Sequence, residues 1–310
     1  MFEIVDVRSY TTPRDRGKAY GQQVRDKITF SIATYARLFA ANGVDWAEAR
    51  KQAEKYTKPI SLMNSALLEE MEGIAAGAGV EFLDILVLNC RTELLALDRG
   101  NTPSNVAVAN EVNNGMDIPD WGECTAICVA PEASSDRHTI FAQNWDWKGR
   151  QKQALVILQT LDASGCMITT LTEAGQLAKL GLSSNGVSVG LNLIRSQQDG
   201  QDPGIPIHCL LRQILTLPSV AAIRSALPEL HRTLGFGAAS NIPCADSSGD
   251  VACFEVSPAG WAEERGDAGV VVHSNHFLCP SLTPQHRATD LNPSSVPRLN
   301  RCRELVAHVR

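Results

Sequence analysis

Trp121-Gly122-Glu123-Cys124-Thr125-Ala126-Ile127-Cys128 is where this chain changes character. The residues before it, 99–122, are rich in Asn, Gly, Pro, Ser and Asp, as expected of an exposed connection with little buried surface. From Cys124 onward the apolar and β-branched residues read as a strand, and a second strand follows that ends in Gln143-Asn144-Trp145-Asp146. A cysteine that opens a strand after such a linker suits a chain that cuts itself before Cys124 and uses the new terminus as its catalyst.

Upstream, the pattern is helical. Tyr20, Val24, Ile28, Ile32, Tyr35 and Phe39 recur at three- and four-residue steps until Asn42-Gly43. Asp45 is placed to cap a short second helix that Pro59 closes, and Ser61 to open a third with Leu67, Met71 and Ile74 inward, finishing at Gly77-Ala78-Gly79. A fourth apolar run spans 85–95. Downstream, strands are expected at 124–130, 138–144, 153–161, 165–172 and 186–194, helices at 205–217 and 219–231, and strands again at 236–245, 251–257 and 268–274. A last helix carries Leu299, Cys302, Leu305 and Val309 on one face and runs to Arg310 without a capping residue, the pattern of a truncated C-terminal part. Helices that follow one group of strands and precede another predict an α+β fold, a four-layer αββα sandwich. It is read as one integrated domain. Residues 1–123 form a helical segment with an exposed linker over 99–123, and residues 124–310 the sheet-rich part.

Composition excludes several classes. The 310 residues are 44% hydrophobic with a net charge of −6, enough for a large core and without a basic face for phosphate backbones, so nucleic acid is not an expected partner. No stretch is apolar for long enough to span a bilayer, and the N-terminus lacks a signal-peptide core, so a cytoplasmic protein is expected. Nine cysteines, an odd count without framework spacing, suit free thiols. Cys124 and Cys128, with His138 nearby, raise a metal site. On one strand face, however, the two sulfurs stand about 13 Å apart at roughly 3.3 Å per residue, too far to share an ion, so neither metal nor cofactor is expected.

The chemistry expected of Cys124 needs a base. Cleavage between Glu123 and Cys124 supplies one as a free α-amino group, with a pKa of about 7.7–8.0, on the nucleophile's own residue. Asp146 is placed to accept a hydrogen bond from the new ammonium. The Asn275 amide, in Val271-Val272-His273-Ser274-Asn275-His276, is a candidate oxyanion donor. Asn192 is a second amide donor, and Gln143 and Asn144 are grouped with it as substrate-binding or supporting residues. His273 and His276 leave open a conventional Cys-His hydrolase that uses Cys124 without chain cleavage. A third reading is a catalytically degenerate binding protein.

The ordered motifs resemble the acyl-coenzyme A:6-aminopenicillanic acid acyltransferase family, also called peptidase family C45, of the N-terminal nucleophile (Ntn) hydrolases. They are Arg16-Gly17-x-x-Tyr20-Gly21, Glu72-Gly73-Ile74-Ala75-x-Gly77-Ala78-Gly79, Leu88-Asn89-x-Arg91-Thr92-Glu93 and Cys124-Thr125. Further on come Gln143-Asn144-Trp145-Asp146, Thr172-Glu173-Ala174-Gly175, Asn185-Gly186-Val187, Glu255-x-Ser257-Pro258 and His273-x-Asn275-His276. The resemblance implies a precursor cut into an α fragment, 1–123, and a β fragment, 124–310, that stay associated. In it Cys124 matches the nucleophile, Asp146 the nearby aspartate, Asn275 the oxyanion asparagine, Asn192 a pocket asparagine, and Gln143 the place of an arginine in related bile-salt hydrolases. It implies a small amide or acyl-donor substrate, a coenzyme A thioester included, passed to water or an amine. Ala126 stands where the acyltransferase has threonine, the linker before Cys124 is longer, and the family continues past the last helix into further sheet and an arginine-bearing segment that is expected to have no counterpart here.

Overall fold

Gly17 and Gly21 on one helix, and Gly73 and Gly77 on another, set the tightest contact of the helical layer. A Cβ on any of the four would collide with a backbone carbonyl of the facing helix, at Glu70, Ile74, Arg14 and Lys18 respectively. The helices are α1 (Pro13–Gln23) and α5 (Ala66–Ala78), and the glycines of the two early motifs are therefore packing residues. The computed structural model describes residues 2–96, 124–286 and 292–307; Glu123, Val309 and the linker over 99–123 lie outside the described residues.

Thr12 caps α1, its Oγ1 accepting from the Asp15 amide at 3.1 Å, with Pro13 in the first turn. α2 (Arg25–Ala41) ends at Asn42 as expected, and Asp45 caps α3 (Trp46–Glu54) by accepting from the Glu48 amide at 2.7 Å. The next boundaries differ from the sequence reading. Pro59 does not close a helix but sits in the first turn of α4 (Thr57–Asn64), where an amide has no intrahelical partner to lose. Ser61 lies within the same helix. α5 ends at Gly79, whose φ of 72° makes a left-handed cap. The run over 85–95 is two helices, α6 (Phe82–Asn89) and α7 (Arg91–Ala96), broken at Cys90.

The strands form two unequal sheets. The larger runs in the order β1 (Glu3–Asp6), β4 (Leu155–Leu161), β5 (Met167–Glu173), β6 (Leu180–Ser183), β7 (Ser188–Val189), β9 (Ser240–Ala245), β10 (Val251–Ser257) and β11 (Gly260–Glu264), with β8 (Asn192–Leu193) also paired to β9. Its β1–β4 pair is parallel, joining Glu3 to Val156 and Asp6 to Gln159. Four residues with only Val5 buried gave the sequence no strand signal there. β6 and β11 are likewise additions, and the expected strand over 186–194 is two short pieces. The smaller sheet has β2 (Thr125–Val129) between β12 (Val270–His273) and β3 (Ile140–Asn144).

Four layers result. Helices α1–α6 pack onto Val156 and Leu158 of β4 through a core that includes Tyr20, Ile28, Phe39 and Met71. α8 (Ile207–Ile214) and α9 (Val220–Leu234) cover Ile168, Ile242, Phe254 and Val256 of the larger sheet. Cys128 and Val271 of the smaller sheet meet Ala245, Val251 and Cys253 of the larger one. On the outer face of the smaller sheet α10 (Ser295–Ala307) lays Leu299, Cys302 and Val306 against Ile127, Val129, Val270 and Val272. This is the αββα order expected from the sequence. Among the described residues no helix is long and apolar enough to cross a membrane.

Candidate active site

Cys124 stands immediately before β2, the central strand of the smaller sheet, so the pairing of Thr125 with Asn144 and of Ala126 with both Gln143 and His273 fixes where it points. The residue is buried, and its Sγ lies 4.0 Å from the backbone carbonyl oxygen of Asp146. Asp146 is exposed, and its Oδ2 accepts from Asn144 Nδ2 at 2.6 Å. The backbone of Asp146 therefore faces the sulfur while its carboxylate is held by its neighbour.

Arg298 ties the other site residues together. From α10 it donates to the Cys124 carbonyl oxygen, to Thr125 Oγ1 at 2.8 Å and to Asn275 Oδ1 at 2.9 Å. Asn275 follows β12; its Nδ2 donates to the Leu193 carbonyl at 2.9 Å, and its amide donates to Ser295 Oγ at 2.8 Å. The sequence reading named no arginine of this helix for the site. A planar five-donor fork bridging three elements is work for arginine in particular. Within the chain Arg298 looked like any polar-face residue of a terminal helix.

Gln143 and Asn192 form one network. Gln143 Nε2 donates to the Leu191 carbonyl at 2.6 Å and to Asn192 Oδ1 at 2.9 Å, and the Leu191 amide donates back to Gln143 Oε1 at 3.1 Å. Asn192 Nδ2 in turn reaches Asn241 Oδ1 at 3.0 Å. Leu191 and Leu193 line the cavity beside Cys124, so both amides fix the strand that walls it.

Neither histidine bonds Cys124. His273 Nε2 meets Glu255 Oε1 at 2.8 Å and its Nδ1 meets the Ser274 carbonyl at 2.9 Å, so both ring nitrogens face acceptors. His276 Nδ1 lies 2.7 Å from Ser295 Oγ, and burial pulls its pKa down to about 4. The structure brings Cys124 together with Asp146 and Asn275 and directs His273 and His276 elsewhere.

Sequence reasoning missed the charged wall of the site. A cavity of about 20 Å³ is lined by Cys124, Arg91, Trp145, Trp147 and Lys179, among others. Lys179 Nζ donates to Glu173 Oε1 at 3.0 Å and lies 3.7 Å from the centre of the Trp145 ring. Arg91 Nη2 donates to the same Glu173 oxygen at 3.1 Å, and the Tyr35 hydroxyl donates to Glu173 Oε2 at 2.5 Å. All four are buried. Burial pulls Lys179 down to about 7 against the attraction of Glu173. Burial opposes ionisation of Glu173, yet Arg91 and Lys179 hold it well below the usual carboxylate range. Burial also pushes the Cys124 thiol up, while Lys179 draws it down. Arg91 and Glu173 were visible as motif residues, but nothing in the linear order says that one carboxylate takes both cations. A second cavity of about 250 Å³ shares Trp145 and Trp147 and adds Phe2, Asp146, Gln151 and Leu155.

A buried cysteine at the head of a strand, backed by a base-rich wall and clamped to an asparagine, can be compared with known proteins. A family model described as acyl-coenzyme A:6-aminopenicillanic acid acyl-transferase matches residues 133–310. The 40 kDa form of acyl-coenzyme A:6-aminopenicillanic-acid-acyltransferase from Emericella nidulans is 31% identical over 300 residues, covering 94% of this chain and 73% of that protein. This chain belongs to the acyl-coenzyme A:6-aminopenicillanic acid acyltransferase family. Membership makes it an enzyme of the acyltransferase class. Among solved structures, penicillin V acylase from Agrobacterium tumefaciens matches with 15% identity and a TM-score of 0.30 over 55% of this chain and 49% of that one. A variant of conjugated bile acid hydrolase from Clostridium perfringens matches with 10% identity and a TM-score of 0.29 over 51% and 48%. The chain thus spans about half the length of each of these two structures, and at such scores they add nothing to the assignment.

Proposed function

We propose that this family member is an autoprocessing cysteine enzyme: it cuts itself between Glu123 and Cys124 and then carries an acyl group as a thioester on Cys124. The observation that carries the reading is the placement of Cys124, buried at the head of β2 with its sulfur against Asp146 and its carbonyl held by Arg298. In the mature enzyme the freed α-amine takes the thiol proton, and the thiolate attacks the substrate carbonyl. Asn275 Nδ2 donates to the oxyanion, the amine or thiol leaves, and water or an amine accepts the acyl group. Asp146 orients the α-ammonium; Gln143, Asn144 and Asn192 support the wall around it.

The substrate class is a small amide or acyl donor, with a coenzyme A thioester among the donors, by likeness to the named relatives. The cavity of about 250 Å³ beside Asp146, walled by Phe2, Trp145, Trp147 and Leu155, suits an apolar acyl group. Residues 1–123 and 124–310 stay associated after cleavage. Support comes from contacts that no cut at 123 disturbs: β1 paired to β4, the Gly175 amide donating to the Tyr20 hydroxyl at 3.0 Å, and Tyr35 on Glu173.

The test is Cys124→Ala beside wild type, each incubated with an amide or thioester donor and weighed intact. Wild-type β fragment is expected to gain the acyl mass on Cys124, and the variant to stay uncut and unacylated. Cleavage of Cys124→Ala at the wild-type rate would remove the thiol from the reaction.

A further inference from the structure

The self-cleavage just proposed needs a base that the mature enzyme's mechanism does not provide, because before the cut the α-nitrogen of Cys124 is an amide. We propose that Lys179 is that base: it takes the Cys124 thiol proton in the uncut chain. The inference rests on the autoprocessing reading and adds to it a residue for the first step.

Geometry selects Lys179. It lines the same small cavity as Cys124, and its neighbour there is Trp145, whose ring it faces at 3.7 Å. The other basic groups near the sulfur do not serve. Arg91 lines the cavity too, but a guanidinium stays protonated, and it is bound to Glu173. Arg298 is a guanidinium engaged with the Cys124 carbonyl. His273 and His276 are held by Glu255, Ser274 and Ser295. His208, from α8, sets Nδ1 against the Ala178 carbonyl at 3.0 Å and leaves Nε2 unpartnered, but it does not line the cavity of Cys124. Burial also drives its pKa well below the ordinary imidazole value, which makes it too weak a base for a thiol proton. Asp146 presents its backbone to the sulfur.

Charge balance favours the transfer. Arg91 and Glu173 cancel each other, so a neutral lysine beside a neutral thiol leaves the pocket uncharged. Moving the proton from Sγ to Nζ makes an ammonium and a thiolate, and the pocket is again neutral in sum. No net charge is carried into or out of a buried site, where an unpaired ion is costly. Burial brings Lys179 to about 7, so the neutral amine is present near neutral pH, and Glu173 holds the ammonium once it forms.

The step balances. The Lys179 lone pair takes the Sγ proton, and the thiolate attacks the Glu123 carbonyl carbon. The carbon–nitrogen bond to Cys124 breaks, and the leaving nitrogen recovers the proton from Lys179. Water then hydrolyses the thioester, leaving a carboxyl at Glu123 and the free thiol. The new α-amine takes over as base, and Lys179 ends as it began.

The experiment follows cleavage of newly translated full-length chain by denaturing electrophoresis between pH 5.5 and 9.5. The wild-type rate is expected to fall tenfold per pH unit below about 7 and to level off above it, as the neutral lysine does. Lys179→Met and Lys179→Arg are expected to cut about a hundredfold or more slowly. A Lys179→Met chain that cuts at the wild-type rate overturns the proposal. So does a wild-type rate that climbs past pH 9 without levelling, even if the variants fail to cut, because Lys179 would then only support the fold. A wild-type chain that is never cut sinks the autoprocessing reading itself.

Discussion

Two buried glutamates, Glu255 and Glu173, each hold a base, His273 and Lys179, and they hold them differently. Glu255 accepts from His273, from the Leu278 amide at 2.5 Å and from the Cys279 amide at 3.1 Å, while the far nitrogen of His273 is taken by Ser274. Glu173 accepts from Tyr35, Arg91 and Lys179, but of the three donors on Lys179 Nζ only one is spent on it, and the amine also faces Trp145 and the cavity of Cys124. A histidine bonded at both ends positions a loop. A lysine bonded at one end, beside a thiol, can exchange a proton. A Cys-His pair was the obvious alternative from sequence, and the residue types alone gave no way to see that the histidine was already occupied.

The contrast can be broken at its ends. His273→Leu leaves the buried Glu255 carboxylate with only the Leu278 and Cys279 amides, which is expected to cost about 3–5 kcal/mol of stability, read as a lowered midpoint in urea. Cleavage before Cys124 in the folded fraction should be unchanged, and a matching loss of cleavage would make His273 part of the cleavage step. Asn275→Ala, two residues along the same segment, is expected to do the reverse. It should slow acyl-enzyme formation about a hundredfold or more, read by single-turnover kinetics, with the midpoint moved far less. Near-normal acylation would take Asn275 out of the oxyanion role. Tyr35→Phe removes one donor from Glu173 and leaves Arg91 and Lys179 in place. A loss of about 1–3 kcal/mol is expected, with cleavage still levelling near neutral pH. Loss of that levelling would mean that Tyr35 helps set Lys179.

The layer order was legible because it depends on which stretches carry period two and which period three to four, and Cys124 was legible because composition changes so sharply before it. The strand at Glu3–Asp6 was not, since a four-residue edge with one inward side chain has no period to detect. Pro59 misled because a proline closes a helix or opens one by the same chemistry, and only the position of the turn decides. At the site, Cys124, Asp146 and Asn275 stood in motifs, whereas Lys179 and Arg298 become part of the site only through folding. They reach it from the position just before β6 and from α10, which no spacing rule links to residue 124. Gly17, Gly21, Gly73 and Gly77 were read as part of a family pattern, and their reason is steric: two helices that approach too closely for any Cβ.

Purified wild-type protein, separated under denaturing conditions and sequenced from the N-terminus of every band, tests the account most directly. A fragment beginning Cys124-Thr125-Ala126 beside one beginning at Met1 is the predicted result. A single intact chain that nonetheless turns over an amide through a reactive Cys124 would contradict it.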